Sequence, residues 1–270
     1  MQEIKILPKG TDDRDKTVGT GSVPLTLEET ELIQRMMELG VFYGRSKSKT
    51  NPKMRPYILT NRSGFAVIDL EKTLAAIKKI KGVIEDIAGQ RGLILFVGTS
   101  PSVKNAVKTV AEELGFPYVS ERWLGGTLTN FDTITKRIQH FKRLRSAQQE
   151  GTWEKYTKKE RVRLERELHK LERLFSGIES LDKLPALVFI ADLANNEIAA
   201  REARGKGVKI IGILNTDSNP TLVDYRIPGN ERSIHSIGFL LNYFKEVIIK
   251  AREQQPASVD KVDRVPEKKE

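Results

Sequence analysis

Short apolar runs alternate with amphipathic helical stretches along most of this chain, and that alternation restricts its fold more than any other feature. Gly92 precedes the unbroken run Leu93-Ile94-Leu95-Phe96-Val97-Gly98, which has strand length and no polar face. Such a run suits a strand covered on both sides. Pro117-Tyr118-Val119, Leu187-Val188-Phe189-Ile190 and Val208 to Leu214 read as further strands, with Phe65 to Asp69 as a shorter one. Between them, Leu74, Ile77, Ile80, Ile84 and Ile87 recur at helical spacing. Val103, Val107, Val110 and Leu114 do the same in a helix that Ser100 is expected to cap, with Pro101 in its first turn. Thr26 and Glu29 form a capping box for an early helix that ends near Gly40. Later helices are expected from about Asn196 to Lys206, stopped by Gly207, and from about Ser233 into a charged tail after Ala251. Strands separated by helices in this order imply an α/β domain with a mostly parallel sheet flanked by helices.

The stretch 129–180 breaks the alternation. Phe131, Ile134, Ile138, Phe141 and Leu144 form a narrow apolar stripe, and Leu164, Leu168, Leu171 and Phe175 form another after a turn around Gly151. Nearly everything between them is charged or amide. A stripe this narrow covers one partner helix and little more, so an antiparallel helical hairpin is expected to project from the sheet domain.

Charge narrows the class of partner. The net charge of +10 points to a polyanion, most often nucleic acid. Residues 41–62 carry Arg45, Lys47, Lys49, Lys53, Arg55 and Arg62 without one acid, and 129–180 carry thirteen Lys and Arg against eight Asp and Glu. The remainder is close to neutral. Clustering of this kind is what phosphate binding needs, although a solvated charged face is the competing explanation for both segments. The chain has no cysteine, no apolar run long enough to span a bilayer and no secretory pattern at its start, so a cytoplasmic protein with no membrane partner is expected.

Catalytic chemistry is poorly supplied. His140, His169 and His235 share no metal-ligand spacing, and no Walker-type loop is present. Gly98-Thr99-Ser100 follows a strand and could hold an anion, but it lacks G-x-G-x-x-G and reads better as a plain turn. Asp69 and Asp192 end strands and read as helix caps before metal ligands. No catalytic residue, metal, cofactor or small-molecule substrate is expected.

The nucleic-acid reading has candidates. Asn51-Pro52-Lys53-Met54-Arg55-Pro56-Tyr57 interleaves cations with an aromatic, and its prolines stiffen the loop for docking on phosphates. Tyr57 either stacks on a base or packs into the sheet. In Glu121-Arg122-Trp123-Leu124-Gly125-Gly126, Arg122 is a further candidate contact. Trp123 reads as a packing anchor at the hinge ahead of a stacking platform. Gly125 and Gly126 suit a tight exit that excludes a Cβ.

Ordered motifs add a resemblance. Gly40-Val41-Phe42-Tyr43-Gly44 followed by Asn51-Pro52-Lys53-Met54 resembles the N-terminal signature of the small-subunit ribosomal protein 2 family, bacterial type. Ile68-Asp69-Leu70-Glu71-Lys72-Thr73-Leu74, Leu95-Phe96-Val97-Gly98-Thr99 and Asp224-Tyr225-Arg226-Ile227-Pro228-Gly229-Asn230 are similar to later family phrases. Arg122-Trp123-Leu124-Gly125-Gly126-Thr127-Leu128-Thr129-Asn130-Phe131 is the most specific match. The matches keep family order over about 25–250. They imply a Rossmann- or flavodoxin-like sheet domain with an inserted antiparallel coiled-coil hairpin. They also imply a structural place on the ribosome, on 16S-type rRNA near the head–body junction of the small subunit. Neighbouring small-subunit proteins are implied partners, including the largest, which the family helps to anchor. The family's histidines in the first motif are replaced here by Phe42 and Arg45, so whatever they do, metal contact included, is not carried over. Leu193 replaces a usual proline after Asp192, and Lys209 replaces another before a strand.

These readings divide the chain into a disordered tail at 1–24, an rRNA-binding α/β domain at 25–128 plus 181–250, the hairpin at 129–180 and a charged tail at 251–270. The rRNA contacts are expected from Arg45, Lys47, Lys49, Asn51, Lys53, Arg55, Tyr57, Arg62 and Arg122. Two other functions compete: a nucleotide-dependent enzyme on the doubly wound sheet, and an adaptor that recruits a protein through the hairpin.

Overall fold

The structure, a computed structural model, describes residues 26–254, so the tail expected at 1–24 and most of the one expected at 251–270 lie outside the described residues. Helix α1 (Leu27–Glu38) opens with the expected capping box, Thr26 accepting from the Glu29 N–H and Glu29 accepting from the Thr26 N–H. Gly40 then turns the chain with φ +70. Strand β1 (Tyr43–Ser46) leads through two short 3-10 turns, Lys47–Lys49 and Pro52–Tyr57, to β2 (Ile58–Arg62) and β3 (Phe65–Ile68). The segment 41–56 reads as loop from its sequence, and most of it is; Tyr43–Ser46 within it instead joins a three-stranded antiparallel sheet of order β1-β3-β2.

Asp69 caps α2 (Leu70–Gly89), accepting from the Glu71 and Lys72 N–H groups. Next come β4 (Ile94–Val97), α3 (Lys104–Leu114) and β5 (Tyr118–Val119). Helix α3 starts later than its sequence suggested. The Ser100 carbonyl accepts from the Val103 and Lys104 N–H groups, whereas its hydroxyl caps nothing and lies 3.3 Å from that of Ser102. After α4 (Phe131–Gln149) and α5 (Lys158–Phe175), the chain returns through β6 (Leu187–Ile190), α6 (Glu197–Gly205), β7 (Lys209–Leu214), β8 (Tyr225–Pro228) and α7 (Ile234–Gln254). Helix α7 runs past Ala251 into the charged tail, as its sequence suggested, and Ala251 is still buried against the core.

Strands β4 to β8 form one sheet of order β5-β4-β6-β7-β8, with every neighbouring pair parallel. This is the flavodoxin-like order, in which consecutive strands go to opposite sides of the first. The apolar runs feed two cores by simple alternation. Ile94, Phe96, Leu187, Phe189, Ile211 and Ile213 face α1, α2, α3 and α7, while Leu95, Val97, Val188, Ile190 and Ile210 face the other side. Helix α6 covers that second side together with residues of α4 and α5, among them Ile134, Ile138, Phe141, Leu168 and Phe175. Helices α4 and α5 contact each other, with His140 facing Glu167, and their apolar stripes are continuous with the sheet's own core.

Candidate nucleic-acid interface

The basic segment is held by three apolar or close-packed anchors that turn its cations outward. The first is Gly44, on the inner face of the small sheet. A Cβ there would lie 2.7 Å from the Ala66 carbonyl oxygen and 2.8 Å from the Thr216 methyl, so only glycine lets β1 pack between β3 and the loop after β7. The second is Met54, fully buried in the core on the side of the hairpin. Its neighbours Lys53 and Arg55 are exposed, because the turn that sinks Met54 must present the adjacent positions to solvent. The third is Asn51, whose N–H donates to the Thr216 carbonyl at 2.7 Å and whose side chain accepts from the Lys53 N–H. Asn51 therefore shapes the loop, and its expected role as an RNA contact has to share that side chain with a cap.

The structure separates the remaining candidates. Lys47, Lys49, Lys53, Arg55 and Arg62 are all exposed, and Lys47 and Arg55 line one shallow groove with Leu59 and Thr60. Arg45 is different: its Nε lies 2.9 Å from the Asp217 carboxylate, and its backbone N–H donates to the Thr216 hydroxyl. Its charge is already matched inside the protein. Tyr57 is half-buried against the core that holds Met54, so the packing alternative describes its ring better than stacking does. Arg122 is exposed on the loop after β5.

That loop is organised by a residue the sequence reading missed. Glu202 on α6 is buried, and its carboxylate accepts from Trp123 Nε1, the N–H groups of Gly126, Leu128 and Thr129, and the Thr129 hydroxyl. Burial pushes its pKa up, but the converging donors outweigh it and hold the carboxyl below its ordinary range. Trp123 is thus an anchor with its indole in the core. Of the paired glycines, Gly126 excludes a Cβ as expected, through its φ of +92 and the Asn130 Cβ that would lie 3.3 Å away, whereas a Cβ on Gly125 would meet open space. One signal for Glu202 was legible: it shares the small-residue face of α6 with Ala199, Ala200 and Ala203.

The carboxyl ends of β4 and β6 meet where a flavodoxin-like sheet ordinarily takes a phosphate-bearing ligand. Here a side chain of the protein fills that place. Asp192, fully buried, accepts from the N–H of Ser100 at 2.8 Å and of Thr99 at 3.2 Å, and from Asn196 Nδ2 at 2.6 Å. It was expected to cap a helix and instead ties two strand ends together. Burial raises its pKa against these donors. Nearby Glu231 is also buried, with Oε2 unpartnered, and burial followed by the neighbouring charges of Asp217 and Asp192 pushes it up to about 8. Among the described residues, no group of three His, Asp or Glu side chains could hold a metal, and no helix is long and apolar enough to cross a membrane.

Comparison with known proteins identifies the family. Residues 36–251 match the family described as ribosomal protein S2. The chain is also 41% identical over 220 residues to the small ribosomal subunit protein uS2 of two strains of Thermus thermophilus, an alignment covering 82% of this chain and 86% of each relative.

Proposed function

The chain belongs to the ribosomal protein S2 family, whose members are structural and non-enzymatic constituents of the small ribosomal subunit, and from that premise we propose how it holds its place there. It binds 16S-type rRNA near the head–body junction of the cytoplasmic ribosome, and it helps anchor the largest protein of the small subunit. The observation that carries the RNA contact is the acid-free row of exposed cations Lys47, Lys49, Lys53, Arg55 and Arg62, braced by Met54 and Gly44. A rigid row of cations displaces condensed counterions without losing much chain entropy on docking. Arg122 contributes from the loop that Glu202 fixes.

The α/β domain, built from 25–128 and 181–250, serves as the platform. The pair α4–α5 forms an antiparallel coiled-coil hairpin spanning 129–180, whose charged outer surfaces meet neighbouring proteins. The enzyme alternative has no support at its usual place, because Asp192 occupies the phosphate position at the strand ends. Co-sedimentation with small subunits through a sucrose gradient in moderate salt is the expected result. Migration as free protein would overturn the assignment. Deleting 132–176 should leave most rRNA affinity in place while loosening protein neighbours.

A further inference from the structure

The small antiparallel sheet has a second face that the cation row does not explain. Its inner face is closed by Gly44, Ala66 and Ile68. Side chains alternate along a strand, so the residues between them point away from the core. Tyr43 pairs with Val67, and Phe65 pairs with both Ser46 and Arg62, which places Tyr43, Phe65, Val67 and Arg62 together on the outer face. Two of these are aromatic and open: Tyr43 is 56% exposed and Phe65 is 55% exposed. The Phe42 ring lies 4.2 Å from that of Tyr43, a contact that restrains the tyrosine.

One cation borders this face on the side of Phe65. Arg62 is its cross-strand partner, and the Lys47 N–H donates to the Gly64 carbonyl in the adjoining turn. That turn is tight, with Ser63 at φ 50 and Gly64 at φ 82, so the register of Arg62 opposite Phe65 is fixed. No acid lies between residues 41 and 62. Exposed rings on a sheet bordered by Arg62, with no acid in 41–62 and the nearby Asp217 already paired with Arg45, form the combination that single-stranded nucleic acid selects. Bases stack on the rings, and the backbone follows the positive charge. A protein partner would find no counter-charge at Arg62 unless it were acidic.

We infer that Tyr43 and Phe65 form a stacking platform for unpaired RNA nucleotides, with Arg62 holding the adjoining phosphate. This rests on the rRNA-binding reading above and adds the class of RNA and the residues that receive it.

The test uses full-chain protein and two labelled probes: an oligoadenylate of about 12 nucleotides, within the site size of single-strand platforms, and a blunt RNA duplex of the same length. Anisotropy titrations should show Tyr43→Ala and Phe65→Ala each weakening oligoadenylate binding by about tenfold, with duplex binding unchanged. Tyr43→Phe and Phe65→Tyr should retain wild-type affinity, because stacking needs a ring and not a hydroxyl. The inference is overturned if wild-type protein does not bind the oligoadenylate, or if the alanine variants bind it as wild type does. It is equally overturned if those variants leave RNA binding intact but release a neighbouring protein from the subunit, since the face would then dock protein. Co-sedimentation of the wild type separates the two levels: loss of that result removes the ribosomal reading, whereas its persistence beside silent aromatic variants removes only the platform.

Discussion

The indole N–H of Trp123 donates to Glu202 across 3.1 Å, joining the loop after β5 to helix α6, 79 residues further along the chain. The same carboxylate takes three backbone N–H groups of that loop, at Gly126, Leu128 and Thr129. Removing it strands several buried donors at once. Glu202→Ala should therefore cost about 3 kcal/mol in urea unfolding, and Glu202→Gln less, since an amide oxygen still accepts. The pH dependence has a definite sign. A carboxyl held below its ordinary 4.5 stabilises the fold fully above that value and loses the contribution as pH falls through its lowered pKa. Glu202→Gln should flatten the acid limb of stability below about pH 4.5; an unchanged limb would show that other carboxylates control it.

Arg45 and Lys53 make a discriminating pair. Both lie in the basic segment, yet Arg45 is neutralised by Asp217 and Lys53 is exposed. Lys53→Ala should lower the salt slope of RNA binding by about 1. Arg45→Ala should leave that slope nearly unchanged and instead reduce thermal stability, because Asp217 loses its partner. Equal slopes for the two variants would mean that Arg45 reaches phosphate after all.

Asp192 behaves as a built-in anion at the strand ends. Asp192→Ala should destabilise the fold by about 2 kcal/mol, leaving the Thr99 and Ser100 N–H groups without an acceptor. Added sulfate should then raise the melting temperature of the variant more than that of the wild type, since an anion can enter the vacated cradle. Identical sulfate responses would argue that the loop collapses once the carboxylate is gone.

Glu231 predicts the opposite pH behaviour to Glu202. With a folded pKa of about 8 against an ordinary 4.5, it stays protonated in the native state across a range where the unfolded chain has released its proton. Its stabilising contribution is complete below about pH 4.5 and declines as pH rises through 8. Unfolding at pH 6 and pH 8.5 should show the wild type losing stability between them and Glu231→Gln losing less. Parallel losses would assign the pH dependence to another group.

Much of the architecture was legible because it depends on local periodicity. The buried strands at 94–97 and 187–190 and helix α2 came from hydrophobic runs and helical spacing. Thr26 and Asp69 were visible as caps because capping is a contact between near neighbours in the chain. The small antiparallel sheet was harder to see. In β2 (Ile58–Arg62) four of five residues are exposed, so it carries no alternation strong enough to mark a strand. Its pairing with β3 is decided by the turn at Ser63-Gly64, and the place of β1 on the other side of β3 by the close approach of Gly44 to Thr216, more than 150 residues away.

The candidate interface divides along the same line. By itself the sequence determined that this chain forms an α/β domain with two helices between β5 and β6, that its positive charge concentrates in 41–62 and 129–180, and, through ordered motifs, which family it resembles. Composition and spacing are sufficient for those properties because they add up along the chain. Only the tertiary structure decided which cations remain free: Arg45 turns inward to Asp217, while Lys53 and Arg55 are turned outward by the burial of Met54. It also decided that Trp123 faces Glu202 and that Asp192 fills the strand-end cradle. Each of these depends on where a distant carboxylate lands. A charge is available to a partner only if the folded chain has not already paired it.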